Sequence, residues 1–592
     1  MSETNQGRHT IPYSYHTFLY PFLWNRKNYK NRAEFERSIG AEPEDGGCKS
    51  CLIWEPDDII DKDCHLCHHT MDENAAEDAK WEYQAFQYYN SAARKALYRM
   101  DGDIVHNFKR RGVCPESARY IIKKNNISYV LRINGIRLKL YDTGVGLLIF
   151  ELEYHLEDAA DPVKKTREAA REDVRTINEY GRRLYPEFIS DHNSEAYNLC
   201  ADEISIQLSS CTEIMTAHFF KPGTDRESWK KTCERFLQNP SALPEIIRGI
   251  LWGDKISRES EEKDLIIPAI DDRMFVCCCI LDSDYADSFL GYQAWPGGED
   301  SDKIKALNGQ RHSWKFMTDW DKGTELYALA NIDSTSASCQ NRLMLDQYFE
   351  EQLYLRWLES GTIHAVTNHS MLCLTSKEVL LEVVFPFLFL YVQMCALVIV
   401  QRASLISMDS QITDAVAKNE RVDSGELIRL EKDFAKFQGE LLLGEVTSQI
   451  QGIEIYEKLQ KMLFIDKLES NIQKQLSNLY QIARTELESE EAKLRAQIEE
   501  KEKEAEKKEA RKQRVMETFL ASLALFSIAS AFVDLEDALI MWGVSENIAG
   551  CYATKIVLAI SVAMLLILAF VWLFPKCRSF KNYLKKKFRK SK

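Results

Sequence analysis

The sequence SYVLRINGIRLKLYDTGVGLLIFELEY, residues 128–154, decides the fold of the N-terminal part of the chain. Apolar and polar residues alternate in RLKLY and LIFELEY, a pattern typical of antiparallel strands with one buried face. Asn-Gly at 134–135 and Asp-Thr-Gly at 142–144 are turn sequences. The stretch therefore predicts three strands, at residues 130–133, 136–141 and 146–153, joined by two tight turns.

Two further stretches extend this prediction along the chain. MFVCCCIL, residues 274–281, is apolar without alternation, as in a strand that is covered on both faces. Residues 162–185 are charged and predict a helix. Hydrophobic residues make up 45% of the chain, which is ample for a buried core. We expect residues 1–415 to form an α+β domain, a mixed sheet covered by helices.

The region that follows predicts helix. No proline occurs from 426 to 514, and the segment as a whole reads as one uninterrupted helical stretch. We expect residues 416–514 to form a helical hairpin and a long stalk helix. Apolar residues spaced by three, four and seven form a stripe suited to self-association, so we expect a homo-oligomer. The stripe consists of Leu468, Ile472, Leu476, Leu479, Ile482, Leu487, Leu494 and Ile498.

Two apolar segments near the C-terminus predict membrane spans. Residues 515–533 contain one charge, Glu517, and residues 556–574 contain none, and each is close to the roughly 20 residues that cross a bilayer. Seven basic residues against four acidic ones precede the first segment, and nine Lys or Arg follow the second within the tail 576–592. The connector 534–555 carries four acids and one Lys.

Basic flanks lie on the cytoplasmic side of a membrane. This charge distribution places both termini in the cytoplasm, with two helices in 515–575 crossing the inner membrane of the cell and an acidic loop outside. A third apolar stretch, 380–400, contains Glu382, Pro386 and Gln393. We interpret it as a fully buried helix, and a third span is the alternative.

Composition limits the partners and the redox state. The formal net charge of −14 argues against direct nucleic-acid binding. Sixteen cysteines with no secretory signal indicate free or metal-bound thiols. Four of them form a CxxC…CxxC pair, a spacing that suits tetrahedral Zn²⁺. We expect a structural zinc insert at 45–72, and four unligated thiols in a loop are the alternative. The predicted ligands are Cys48, Cys51, Cys64 and Cys67.

Two short segments are candidate ligand-binding sites. In the first, Arg182 and Arg183 offer forked donors for phosphate, and the flanking Tyr180 and Tyr185 could stack on a base. The alternative is the solvated end of a helix. The second segment opens the strand at 274–281 and pairs two carboxylates with a guanidinium, and strand capping is its alternative. Its residues are Asp271, Asp272 and Arg273.

The first apolar segment carries a possible ion path. Ser527, Ser530 and Asp534 are spaced i, i+3, i+7 and share a helix face, so a symmetric assembly would line a cation path with them. Packing of helices through small residues is the alternative. The sequence contains none of the nucleotide-binding, metalloprotease or nucleophile motifs of common enzymes, and we expect no catalytic activity.

Several phrases resemble the branch of the CorA divalent-cation channel superfamily that is found beside type III CRISPR systems. They are YHTFLYPFLW, EYQAFQYYNSAARKALY, RLKLYDTGVGLLIFELEY, INEYGRRLYP, DDRMFV and GEVTSQIQGIEIY. CorA channels are funnel-shaped homopentamers. In this branch, the resemblance implies a cytoplasmic domain that binds a nucleotide second messenger, an S-adenosylmethionine–AMP conjugate, and gates the membrane part during phage infection.

One departure from the superfamily affects the expected function. Classical CorA transporters carry a Gly-Met-Asn triplet at the end of the first span, whereas this chain reads FSIASAFVDLEDALIMWG at 526–543. The resemblance therefore predicts a messenger-gated channel in antiviral defence, with a permeant divalent cation possible. Constitutive Mg²⁺ or other divalent-cation transport and a non-conducting membrane-tethered scaffold are the alternatives.

Overall fold

The protein was examined as a computed structural model of all 592 residues. The residues that the structure describes are 11–24, 29–41, 52–57, 73–98, 104–158, 166–183, 200–212, 214–218, 245–253, 266–270, 273–289, 320–333, 337–376, 379–418, 424–543, 545, 548, 551, 554–555, 558–559, 562–563 and 566.

Thirteen strands in the described part of the chain form one mixed sheet. The pair β10 and β13 is parallel, and the other pairs are antiparallel. The main path runs β11-β12-β13-β10-β1-β6-β5-β4-β7-β8, with β3 on β5, β2 on β3 and β9 on β1. The strands are β1 Ser14–Trp24, β2 Trp54–Pro56, β3 Val105–Arg110, β4 Arg119–Lys124, β5 Ile127–Tyr141, β6 Val145–Tyr154, β7 Glu203–Gln207, β8 Met215–His218, β9 Ile266–Pro268, β10 Phe275–Leu281, β11 Leu353–Tyr354, β12 Ile363–Val366 and β13 Ser370–Thr375.

The helices lie on both faces of this sheet or follow it in the chain. Short 3-10 turns occur at Leu156–Asp158 and Leu358–Ser360. The α-helices are α1 Arg32–Ser38, α2 Glu73–Tyr88, α3 Ser91–Leu97, α4 Arg167–Gly181, α5 Glu245–Trp252, α6 Ser283–Asp287, α7 Trp320–Asn331, α8 Arg342–Gln352, α9 Val392–Lys418, α10 Ser424–Glu440, α11 Ile450–Met462 and α12 Ile465–Met541.

The prediction of two strands before the turn at 142–144 is wrong. Residues 127–141 form the single strand β5, and the register against β6 shifts between Ile133 and Gly135. Asn-Gly is a hairpin sequence, but here it forms an irregularity within a strand, as a β-bulge does. A Cβ at Gly135 would lie 2.6 Å from Glu151 Oε2, so a larger residue there would displace the end of this glutamate side chain. The turn after β5 is confirmed, because β5 and β6 are adjacent and antiparallel.

Both faces of the sheet are covered, which explains the unbroken apolar run of β10. Val276, Cys278 and Ile280 join a core that includes residues of α4, α5 and α7. Cys277 and Cys279 join a second core with residues of α3, α9, α10, α11 and the first turns of α12. Every residue of β10 is buried, as predicted for a doubly covered strand. The α+β architecture with a mixed sheet is thereby confirmed.

Residues 426–514, predicted to be helical throughout, are divided by two loops among three helices. Helix α10 ends at Glu440, and the loop before α11 is held by Tyr456, whose hydroxyl donates to the Leu443 carbonyl at 2.8 Å. Between α11 and α12, Phe464 has a positive φ of 59°, which no helix accommodates. The last of the three helices, α12, has 77 residues and confirms a long helical C-terminal part.

Among the described residues, one helical stretch is long and apolar enough to cross a membrane, and it is Leu380–Ala417 rather than either predicted C-terminal span. Its most apolar window is 67% buried inside the protein. It starts with two π-helical turns, Leu380–Val384 and Phe387–Tyr391, and continues as α9. Its side chains belong to the second core, as the buried-helix interpretation expects. Residues 515–533 are part of α12, and 556–574 lie largely outside the described residues.

The chain divides into two compact units, Met1–Ala483 and Arg484–Lys592. The first unit contains the sheet, helices α1–α11 and the start of α12. The second unit contains the remainder of α12, in which side chains from 484 to 520 are exposed or half-exposed.

Candidate functional site: a buried arginine cluster

The C-terminal end of α4 lies directly against the sheet. The Tyr120 hydroxyl donates to the Gly181 carbonyl at 2.9 Å. A Cβ at Gly181 would lie 2.7 Å from Ile122 Cδ1, so only glycine lets the helix end approach this closely. The next residue, Arg182, is therefore carried into the protein instead of into solvent. It is 3% exposed.

The structure brings together the two segments that the sequence proposed as separate sites. The Met274 amide donates to the Arg182 carbonyl at 2.9 Å, and Arg183 and Arg273 form an antiparallel β-bridge. Residues 182–183 thus lie beside residues 273–274, at the start of β10. Three guanidinium-bearing residues meet at this point of the fold.

One described carboxylate serves two of these arginines. Glu179 accepts from Arg182 Nη2 at 2.8 Å, and its other oxygen accepts from Arg183 Nη2 at 2.5 Å and from Arg183 Nε at 3.1 Å. All three side chains are buried. Within the described part of the chain, Nε and Nη1 of Arg182 are buried and have no hydrogen-bond partner.

Burial and the neighbouring charges shift the pKa values in the cluster. Burial alone raises the pKa of Glu179, but Arg182 and Arg183 act more strongly together and hold it below its usual range. Burial lowers the pKa of Arg182, Glu179 opposes this, and the neighbouring charges of Arg273 and Arg183 lower it further. Because an arginine does not lose its proton in proteins, Arg182 keeps its charge, and no described residue accepts a hydrogen bond from its Nε and Nη1 groups.

Two buried polar side chains near the cluster, His16 and Asn178, already have hydrogen-bond partners. His16 on β1 contacts Asn178 Oδ1 through Nδ1 at 2.7 Å and Ser14 Oγ through Nε2 at 2.9 Å. Burial lowers the pKa of His16 to about 4, with the Asn178 hydrogen bond opposing, so the ring is neutral at pH 7. The sequence interpretation missed His16 and Asn178. Asn178 lies one helical turn before Arg182, and this spacing could have placed Asn178 on the same face of the helix as Arg182.

The predicted base-stacking role of Tyr180 meets a competing contact. Its half-buried ring packs under Lys124, whose Nζ lies 4.6 Å from the ring centre. The same Nζ donates to the Cys200 carbonyl at 2.8 Å. Tyr180 therefore takes part in a cation–π contact within the fold.

The remaining predicted ligand and metal residues fall outside the described residues. These are Tyr185, Asp271 and Asp272 of the ligand site and the zinc candidates Cys48, Cys51, Cys64 and Cys67. Among the residues that are described, no group of three or more His, Cys, Asp or Glu is arranged to hold a metal ion. The zinc insert remains a prediction.

The predicted pore residues lie on the second unit's helix. Ser527, Ser530 and Asp534 are exposed residues of the continuous helix α12, which places them on one helix face. The Ser527 hydroxyl donates to the Leu523 carbonyl at 3.1 Å, a bond within the helix. Cation conduction along this face remains a prediction.

Comparison with known proteins adds no relative to these observations. No protein-family model, curated protein or solved structure matches the chain. The case for function therefore depends on the sequence phrases and on the geometry of the arginine cluster.

Proposed function

We propose that this chain is a CorA-like oligomeric membrane channel gated by a nucleotide second messenger, which acts in type III CRISPR antiviral defence. The observation that carries the proposal is the pair of buried N–H groups on Arg182 that lack a partner in the described residues. The messenger implied by the sequence resemblance is the S-adenosylmethionine–AMP conjugate. Its phosphate would accept hydrogen bonds from Nε and Nη1 of Arg182.

The chemistry of the cluster fits a phosphate better than a neutral ligand. A guanidinium presents its N–H groups in a planar fork that matches phosphate oxygens, and such charge-assisted bonds are strong. With Nη2 held by Glu179, the Nε and Nη1 groups of Arg182 are the donors left for a ligand. Burial, followed by the charges of Arg273 and Arg183, lowers the pKa of Arg182, and a phosphate charge beside it would act in the opposite direction.

One strand connects the cluster with the base of the long helix. Met274, directly before β10, bonds to Arg182. Three and five residues further on, β10 contributes Cys277 and Cys279 to the second core, which also contains Ile465 and Ile472 of α12. A ligand that binds one arrangement of this strand more tightly than another would shift the population towards the first arrangement, at the cluster and at the base of α12 together. A ligand without such a preference would open nothing.

The second unit supplies a surface suited to lipid. Large apolar side chains of α12 are exposed from the end of its charged segment onward, and such a patch marks a membrane or protein contact. This surface supports insertion of residues 515–533 as the first of two spans. Its members are Val515, Met516, Phe519, Leu520, Leu523 and Phe526.

The proposal is tested with full-length protein reconstituted into dye-loaded liposomes. The messenger conjugate should release the dye from liposomes that contain the natural chain. Arg182→Met should abolish release while incorporation into the bilayer stays unchanged. Arg356→Gln, which removes an arginine from a surface pair with Glu454, is the matched control and should behave like the natural chain. Release without messenger that depends on a divalent cation would favour transport, and no release in either condition would favour a scaffold.

A further inference from the structure

The charged segment before the apolar part of α12 has two faces of opposite sign. Lys507, Lys508, Arg511 and Lys512 are spaced i, i+1, i+4 and i+5, so they share one side of the helix. Glu506 and Glu509 lie on the other side of the helix. Glu517, eleven residues or about three turns after Glu506, lies on that side too. All of these side chains are exposed.

The basic side chains next to the apolar segment have no acidic partner among the described residues. Arg484, Arg495 and Lys503, earlier in the helix, each pair with a glutamate one turn away, at 3.0, 3.4 and 3.6 Å. Lys508, Arg511 and Lys512 form no ion pair with any residue that the structure describes. The basic face next to the apolar surface therefore keeps its positive charge.

The uncompensated charges and the apolar surface are continuous. Val515 and Met516 follow Arg511 and Lys512 at the spacing i+4, and Phe519 follows Val515 at i+4, so these exposed side chains share one side of the helix. This side of the helix therefore has a cationic end and an apolar end. A ligand that satisfies both ends carries a negative headgroup joined to an acyl chain.

We propose that this basic face of α12, formed by Lys508, Arg511 and Lys512, binds the phosphate headgroup of an anionic phospholipid at the inner membrane surface. This inference rests on the membrane insertion proposed above. Basic segments next to a span attract anionic lipid, and each charge adds to the attraction. A free phosphate would contact only the cationic end of this helix side, which favours the lipid.

The test reconstitutes the full chain into vesicles of equimolar phosphatidylcholine and phosphatidylglycerol. The protein is then extracted in mild detergent, and the lipids that copurify are quantified by mass spectrometry. We expect phosphatidylglycerol to be enriched over phosphatidylcholine by about fivefold, of the order that one juxtamembrane charge contributes. The variant Lys508→Gln/Arg511→Gln/Lys512→Gln should lose this enrichment.

A second triple variant, Lys493→Gln/Lys501→Gln/Lys503→Gln, removes the same charge from the earlier part of the helix and should keep the enrichment. Equal enrichment in both triple variants, or none in the natural chain, would overturn the inference and leave membrane insertion intact. Failure of the natural chain to enter vesicles would overturn both proposals. Enrichment that free inorganic phosphate abolishes at equal ionic strength would show a phosphate site without lipid preference, which also overturns the inference.

Discussion

The two ends of helix α4 carry buried arginines whose charges are balanced very differently. Arg171 is bonded to Asp282 at 2.8 Å and to Glu325 at 2.6 Å, and its guanidinium lies 4.3 Å from the ring centre of Tyr285. Arg182, eleven residues later and more deeply buried, shares one carboxylate, Glu179, with Arg183.

The pKa values follow this difference. Burial lowers the pKa of Arg171, but the hydrogen bonds that it donates to Glu325 and Asp282 outweigh burial and the net shift is upward. For Arg182 burial and the nearby arginines prevail, and the pKa shifts downward. Among the described residues, Nε and Nη1 of Arg182 have no hydrogen-bond partner, and the proposed ligand site depends on these two groups.

Arg171→Ala is expected to have the largest effect on stability. The substitution leaves the fully buried Asp282 with Tyr13 and the half-exposed Arg167 as partners. Removing one member of a buried ion pair costs about 3–5 kcal/mol. Thermal unfolding of the detergent-purified protein should show a clear loss of Tm. A Tm equal to that of the natural chain would show that the ion pairs of Arg171 do not stabilise the fold, and the proposed difference between Arg171 and Arg182 would be wrong.

His16 tests the middle of the same helix through its bond to Asn178. Its pKa in the folded protein is lowered by burial to about 4, from an ordinary value of 6.5. The unfolded chain therefore binds more protons between these two values, so stability is full above pH 6.5 and falls as the pH drops towards 4. The shift corresponds to roughly 3 kcal/mol.

His16→Gln removes this titration and should flatten the dependence of Tm on pH between 6.5 and 4, relative to the natural chain. The measurement is a series of unfolding curves across that window. Parallel pH profiles for the two proteins would show that His16 is not held neutral by the fold.

Arg182→Met is expected to have the smallest effect on the unliganded protein. The substitution keeps a similar side-chain length and leaves Glu179 bonded to Arg183. We expect the free energy of unfolding to change by less than about 1 kcal/mol, because Glu179 keeps one buried partner and is not left as an uncompensated charge. A loss as large as that of Arg171→Ala would identify Arg182 as a structural residue.

The sequence predicted what local patterns encode. Alternation located β5 and β6, and the unbroken apolar run located β10. Asn-Gly at 134–135 misled because a hairpin turn and a strand irregularity use the same residues. The break after Glu440 was missed because residues 441–449 contain no proline, and the left-handed Phe464 has no sequence signature.

The candidate site was predictable only in part. Adjacent arginines and a glycine indicated a phosphate site at 181–183, and the structure describes them at the buried end of a helix. Their pairing with residues 273–274 depends on the order of strands in the sheet, which no local pattern reports. Glu179 as the shared carboxylate follows from helical spacing once α4 is known to end at Gly181.

Isothermal titration of the messenger conjugate into detergent-purified full-length protein tests the central claim most directly. The account predicts that the natural chain and Arg356→Gln bind the S-adenosylmethionine–AMP conjugate with the same affinity. Arg182→Met should bind it at least about tenfold more weakly, which corresponds to 1.4 kcal/mol of binding free energy. Binding by Arg182→Met at the affinity of the natural chain would contradict the assignment of the arginine cluster as the ligand site.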